Sequence, residues 1–281
     1  MPRLADRGGR VLGSIVEIVQ DKWEWRSHVV RLSRFELLKR SRNSALSWAW
    51  LIIRPLVTIF CYWFALYVGF RHGQDMVEGM PPYILWLVSG VVPWFFMNEI
   101  LHGGTDLMRS YSYLVTKVRF PLAAIPSIYV VTSFIIQLIL QAGLAVVYFA
   151  SGQALHIHLV QIPFLLVLMF AFWDLCALLF SLLSTANRGV ANSIKALGTP
   201  IFWLSGVLFD VDGIAIPWLN RLLHLNPVTF FVTGFRQAIY YHTWIWEDRW
   251  VLVGFAAVFA LLLVLTALAY RWLAREVPDV L

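Results

Sequence analysis

The chain has 281 residues, 60% of them hydrophobic and only 14% charged, with a formal net charge of +6 and a mean hydropathy of +0.72. These values exclude a soluble globular domain and describe a protein that crosses a membrane several times. Two cysteines, Cys61 and Cys176, each inside an apolar run, leave neither a disulfide framework nor a paired thiolate metal site.

Residues 1–47 form a basic segment, ten Lys/Arg against Asp6, Glu17, Asp21, Glu24 and Glu36. The apolar run at 11–19 is short and broken by Gly13, Ser14 and Glu17, so it is no signal-peptide core. From about 28 to 44 the pattern is helical, but its apolar positions scatter around the wheel. Such a segment suits an anionic membrane surface rather than nucleic acid.

Six apolar runs follow, each near the roughly 20 residues that a bilayer crossing needs: 48–70, 83–102, 121–150, 160–184, 194–208 (the shortest) and 251–272. The expected fold is all-α, with a 48–272 membrane domain and a 273–281 tail. With the amino terminus inside, seventeen Lys/Arg fall on the inner side and four (Arg71, Arg221, Arg236 and Arg249) on the outer side. That asymmetry places both termini in the cytoplasm.

Aromatic residues crowd the first two spans: Phe60, Trp63, Phe64 and Tyr67, then Trp86 and Trp94. Their faces could line a pathway for a glycopolymer or simply pack and face lipid. Between the second and third spans, residues 105–121 carry Asp106, Arg109, Lys117 and Arg119 and cannot cross the membrane. Leu107, Tyr111, Leu114 and Val118 still keep a helical rhythm, which predicts a short basic amphipathic helix over 105–120. It either lies in the headgroup layer or serves a soluble partner as a handle.

Between spans five and six, 214–223 and 228–241 read as short helices that dip into the outer leaflet, as a gate or a fixed cap. Asn226 is an N-cap and Pro227 the first helical residue. Val228, Val232, Phe235 and Ile239 then form an apolar stripe, with Thr229, Thr233, Arg236 and Tyr240 elsewhere.

No phosphate-binding loop is present: Lys22, Lys39, Lys117 and Lys195 follow Asp, Leu, Thr and Ile rather than glycine. His156 and His158 read as a solvated pair in an outer loop. Among ionisable residues at membrane depth, Arg54 either snorkels to the inner headgroups or meets the phosphates of an anionic lipid. Asp174 is either a structural acid bonded to a neighbouring helix or a proton carrier. Glu99 is expected to pair with Arg109 or Arg119.

Three stretches carry a family resemblance: LVTKVRFP at 114–121, LVSGVVPWFFMNE at 87–99 and LNPVTFFVTGFR at 225–236. The chain resembles the permeases of ABC-2 type exporters of lipid-linked polysaccharides. The last two stretches, with His242-Thr243-Trp244 before Glu247-Asp248 and the tail Val277-Pro278-Asp279, are most similar to the wall teichoic acid permease of Gram-positive bacteria; O-antigen and capsule permeases share most of the pattern.

The resemblance implies a bacterial plasma-membrane protein in two copies with two ATPase subunits. The chain itself would bind no cofactor, and ATP and Mg would be held by the partner. Helix 105–120, through Leu107, Tyr111, Leu114, Lys117, Val118 and Arg119, would couple to the ATPase. Arg31, Arg34, Arg40, Arg42 and Arg54 would meet the substrate's phosphates. Helices 214–241, with Trp218, Asn226, Pro227, Phe231 and Arg236, would form an outer gate. The basic first 27 residues depart from the pattern.

Overall fold

A computed structural model describes residues 4–41, 47–75, 80–118, 120–274 and 277. Among them the regular structure is all helical: α1 Leu4–Glu24, α2 Arg26–Ser41, α3 Ser47–Trp63, α4 Tyr83–Gly103, α5 Leu107–Ser110, α6 Ser112–Thr116, α7 Ile125–Ala150, α8 Gln161–Ala186, α9 Arg188–Leu204, α10 Pro217–His224, α11 Pro227–Arg236 and α12 Arg249–Leu273. The chain of α3 continues as π-helical winding over Phe64–Phe70, and that of α11 over Gln237–Tyr241.

Five of the described helical stretches are long and apolar enough to cross a membrane: Ala49–Phe70, Tyr83–Ser110, Leu122–Ala150, Ile157–Ala186 and Arg249–Leu273. They match five of the six expected spans. The remaining one, 194–208, is reframed. Its helix α9 starts earlier, takes in Arg188 and Lys195, and ends at Leu204 after 17 residues.

Helix α4 is the axis of the bundle. Fifteen of its residues are buried, and it packs against α3, α7, α9 and α11. Helix α3 is mostly uncovered, with Trp50, Leu56, Val57, Phe60 and Phe64 all more than half exposed. On the other side α8 packs against α7 and α12. Phe172 of α8, Phe230 and Phe231 of α11, and Phe255 of α12 make one aromatic cluster, with Phe230 and Phe255 stacked at 3.9 Å.

The amino-terminal segment holds two helices rather than one. Helix α2 lacks an apolar stripe, yet it seats firmly on α7 because Ser33 brings the backbones close. Its hydroxyl donates to the Ile128 carbonyl at 2.8 Å, and Thr132 Oγ1 donates back to the Ser33 carbonyl at 3.3 Å. Helix α1 lies against α12 and the start of α7. It buries Ser14 and Ile18 and leaves Leu12, Val16, Val19 and Trp23 exposed. Trp25, at the corner between the two helices, packs edge-on against Phe120 with ring centroids 4.8 Å apart. Both described ends of the chain thus lie at one face of the bundle, where Tyr270 donates to Asp21 at 3.3 Å.

Candidate functional site

The expected helix over 105–120 is two short helices. A tight turn at Gly104–Asp106 leads into α5, the chain breaks helical geometry at Tyr111 (φ −109°, ψ 24°), and α6 follows. The break inverts the expected use of the apolar stripe. Leu107, Met108, Tyr111 and Leu114 are buried inside the protein, whereas Tyr113, Thr116, Lys117 and Val118 face outward. Burial, helped by the Glu36 carboxylate that accepts from its hydroxyl, holds the Tyr111 phenol above its ordinary range, so it stays a neutral donor. Arg119 lies outside the described residues.

Further polar contacts bind this segment to the bundle. Arg109 donates to the carbonyls of Ser184 at 2.8 Å and Thr185 at 3.4 Å, capping the negative end of the α8 dipole. Lys195 of α9 pairs with Asp106 at 2.5 Å. A push on the segment therefore reaches α8 and α9 directly.

Glu99 does not pair with Arg109, as expected from sequence. It accepts from Arg40 of α2 at 3.2 Å and from the Tyr129 hydroxyl at 2.6 Å, and the Arg40 guanidinium lies 4.7 Å over the Tyr129 ring. The hydroxyl fits because Gly103 has no side chain; a Cβ there would overlap it. Arg40 and Glu99 line a groove of about 470 Å³ between α3, α4 and α7, together with Trp50, Arg54, Tyr62, Trp94, Asn98, Ser133 and Gln137. Arg54, an exposed residue on the rim of this groove, takes part in none of the described ion pairs.

The five expected headgroup arginines therefore do not converge. Arg40 and Arg54 share the groove, Arg31 and Arg34 flank a separate shallow depression on α2 with Arg26, and Arg42 lies outside the described residues. The aromatics divide similarly. Phe60 and Phe64 point outward, while Trp63, Tyr67, Tyr83 and Trp86 form a stacked run with successive centroids 5.6 Å apart. Trp86 and Trp94 are buried, so they serve packing first.

At the opposite face Arg236 is 2% exposed, although its helical phase suggested a polar surface. Its guanidinium donates to the carbonyls of Gly206 and Val207 at 2.6 Å, Phe209 at 3.3 Å and Trp86 at 3.2 Å, and sits 3.6 Å over the Trp86 ring. Gly90 makes room for it, since a Cβ there would lie 2.5 Å from Nη2. Arg236 thus satisfies the carbonyls that follow the end of α9, which cannot find water there. Every residue of α11 from Val228 to Arg236 is buried, so the expected one-sided stripe is a helix enclosed all round. Asn226 caps it as expected, its Oδ1 accepting from Val228 N at 2.9 Å and its Nδ2 donating to Ser205 at 2.7 Å; Phe231 is fully buried and Trp218 is exposed.

Asp174 has the structural partner that sequence left open. It accepts from Lys22 of α1 at 2.5 Å and from Ser127 of α7 at 2.8 Å. Ser127 is the third residue of α7, so the middle of α8 meets the start of α7 at Asp174. His156 and His158 are not a lone pair: the His242 ring packs tilted against His156 with centroids 4.0 Å apart. No three His, Cys, Asp or Glu among the described residues are placed to hold a metal.

The sequence profile of a family described as ABC-2 type transporter matches residues 27–240, from α2 to beyond α11. The chain is also similar to the O-antigen export system permease protein RfbA of Myxococcus xanthus, at 26% identity over 253 residues that cover 89% of this chain and 93% of the relative. All of α1 lies outside the matched profile.

Proposed function

The chain belongs to the ABC-2 type transporter family, and from that premise we propose that it is the membrane subunit of an ATP-driven exporter of a lipid-linked polysaccharide. It is a multi-pass membrane protein whose sequence lacks a phosphate-binding loop, so a separate ATPase subunit would supply the hydrolysis. The observation that carries the reading is the segment 107–118. It is bonded to α8 and α9 by Arg109 and by Asp106–Lys195, and presents Tyr113, Thr116, Lys117 and Val118 outward. A soluble partner docked on those four residues would move α9, whose far end Arg236 clamps to α4 through the Trp86 carbonyl. Two permeases and two ATPases, with both termini in the cytoplasm, complete the proposed assembly.

The polymer is proposed to be of the O-antigen class, a reading supported by the named function of the relative that aligns over 93% of its length. The motifs at 225–236 and 242–248 keep wall teichoic acid as a second reading. Within the groove Arg40 is already engaged by Glu99 and Tyr129, so Arg54 is the groove guanidinium left to meet a lipid phosphate. The test is reconstitution in liposomes with the co-purified ATPase and measurement of ATP turnover against added lipid-linked polymer. Stimulation by a lipid-linked O-polysaccharide and not by a lipid-linked polyol phosphate supports the first reading. The reverse selects the second, and a chain that purifies without an ATPase and transports on a proton gradient overturns both.

A further inference from the structure

Helix α7 carries a polar strip that borders the groove and continues one turn past it. Ser133, Gln137 and Gln141 recur at every fourth residue, so they lie on one side of the helix in successive turns. Ser133 is 3% exposed and Gln137 1% exposed, and both line the groove. The Ser133 hydroxyl, both ends of the Gln137 amide and the Gln141 carbonyl oxygen are buried without a hydrogen-bond partner in the chain. Gln137 lies about 18 Å along α7 from Ile125 at 1.5 Å per residue, a depth at which lipid offers no partner. Leaving a buried polar atom unmet is destabilising, and an apolar residue would remove that cost. A chain that keeps two such side chains one turn apart, facing a groove, retains them for something that enters it.

The geometry also indicates what enters. Arg40 and Glu99, the latter bonded to Tyr129, line the groove with Arg54, and Trp94 and Tyr62 add aromatic faces. Tyr129 and Gln137 are two turns apart, about 12 Å along the axis, a reach that a diphosphate followed by one or two sugar rings spans. Amide and hydroxyl groups beside aromatic faces are the chemistry that binds sugar hydroxyls and ring C–H faces. We infer that Ser133, Gln137 and Gln141 form a sugar-binding strip that holds the first sugar of the lipid-linked chain while Arg54 holds its phosphate. The inference rests on the lipid-linked polysaccharide reading and adds to it where, and by which groups, the glycan end is recognised.

The full chain in lipid nanodiscs is titrated with farnesyl diphosphate and with farnesyl diphosphate carrying one hexose, binding being read by tryptophan fluorescence. Wild type binds the hexosylated probe about tenfold more tightly, the yield of one or two net hydrogen bonds. Gln137→Leu brings that ratio to within twofold, keeps the affinity for the bare diphosphate, and keeps or raises the melting temperature. Ser133→Ala gives a smaller loss of the same sign, and Arg54→Ala weakens both probes equally. An unchanged sugar ratio in Gln137→Leu, or a lowered melting temperature with both probes weakened together, overturns the strip and makes Gln137 a packing residue. If wild type binds the diphosphate but gains nothing from the hexose, the strip falls alone. If wild type binds neither probe, the lipid-linked reading falls with it.

Discussion

Lys22 and Asp174 lie 152 positions apart and meet at 2.5 Å, with Ser127 bonded to both. The pair fastens α1, which lies wholly outside the family profile, to α8 and α7. Its side chains are only 18% and 10% exposed, so each charge depends on the other for compensation.

Removing one partner leaves a mostly buried charge. Asp174→Asn is expected to cost about 3 kcal/mol and to lower the melting temperature in detergent, while export remains indifferent to collapse of the proton gradient. Lys22→Met with Asp174→Leu should recover much of the lost stability. A double variant no more stable than the single one would refute the pairing.

Arg236 carries a different expectation, because its partners are carbonyls and not a carboxylate. Arg236→Lys keeps the charge but loses the planar fork that reaches Gly206, Val207 and Trp86 together. A loss of about 3 kcal/mol or more is expected from stranded buried groups. Gly90→Ala should act in the same direction through the clash with the guanidinium. Protease accessibility of the 205–216 turn measures both, and wild-type resistance in Arg236→Lys would argue against the clamp.

The broken segment at 107–116 separates two substitutions that the apolar rhythm had grouped. Leu114 is 4% exposed, so Leu114→Asp should destabilise the permease itself. Val118 is 53% exposed, so Val118→Asp should leave the permease's melting temperature unchanged and reduce co-purification of the ATPase several-fold. Full ATPase recovery with Val118→Asp, Tyr113→Ala and Lys117→Glu combined would remove this surface from the docking site.

His224 of α10 sits 3.1 Å from Asp212, and its Nδ1–H donates to the Asn220 carbonyl at 2.9 Å. The Asp212 hydrogen bond raises its pKa against the lowering effect of burial, with Asp248 adding to the rise. Its charged form is favoured in the folded protein, so its contribution is fully present below the unfolded value of about 6.5 and is lost as pH rises through the raised folded value. Hydrogen exchange in 217–224 should therefore be slower at pH 6 than expected from the intrinsic rate, and faster at pH 8. In Asp212→Asn that pH dependence should shrink; an unchanged profile would assign it elsewhere.

Much of the membrane architecture was written in local sequence. Transfer free energy acts on contiguous apolar runs, so five spans and their bounds follow from composition. Capping is a contact between near neighbours, so Asn226-Pro227 marked the start of α11 without knowledge of any other helix. The limits show in particular residues. The rhythm of Leu107, Tyr111, Leu114 and Val118 was real, but the break at Tyr111 turned three of them inward and left Val118 outside. Arg236 stood at a polar position of the wheel, yet the fold surrounds α11 on every side. Glu99 had arginines nearer in sequence, but α2 delivers Arg40 to it, and α1 delivers Lys22 to Asp174. A buried charge is compensated by whichever side chain the packing of distant helices places within about 3 Å, and that choice belongs to the tertiary structure.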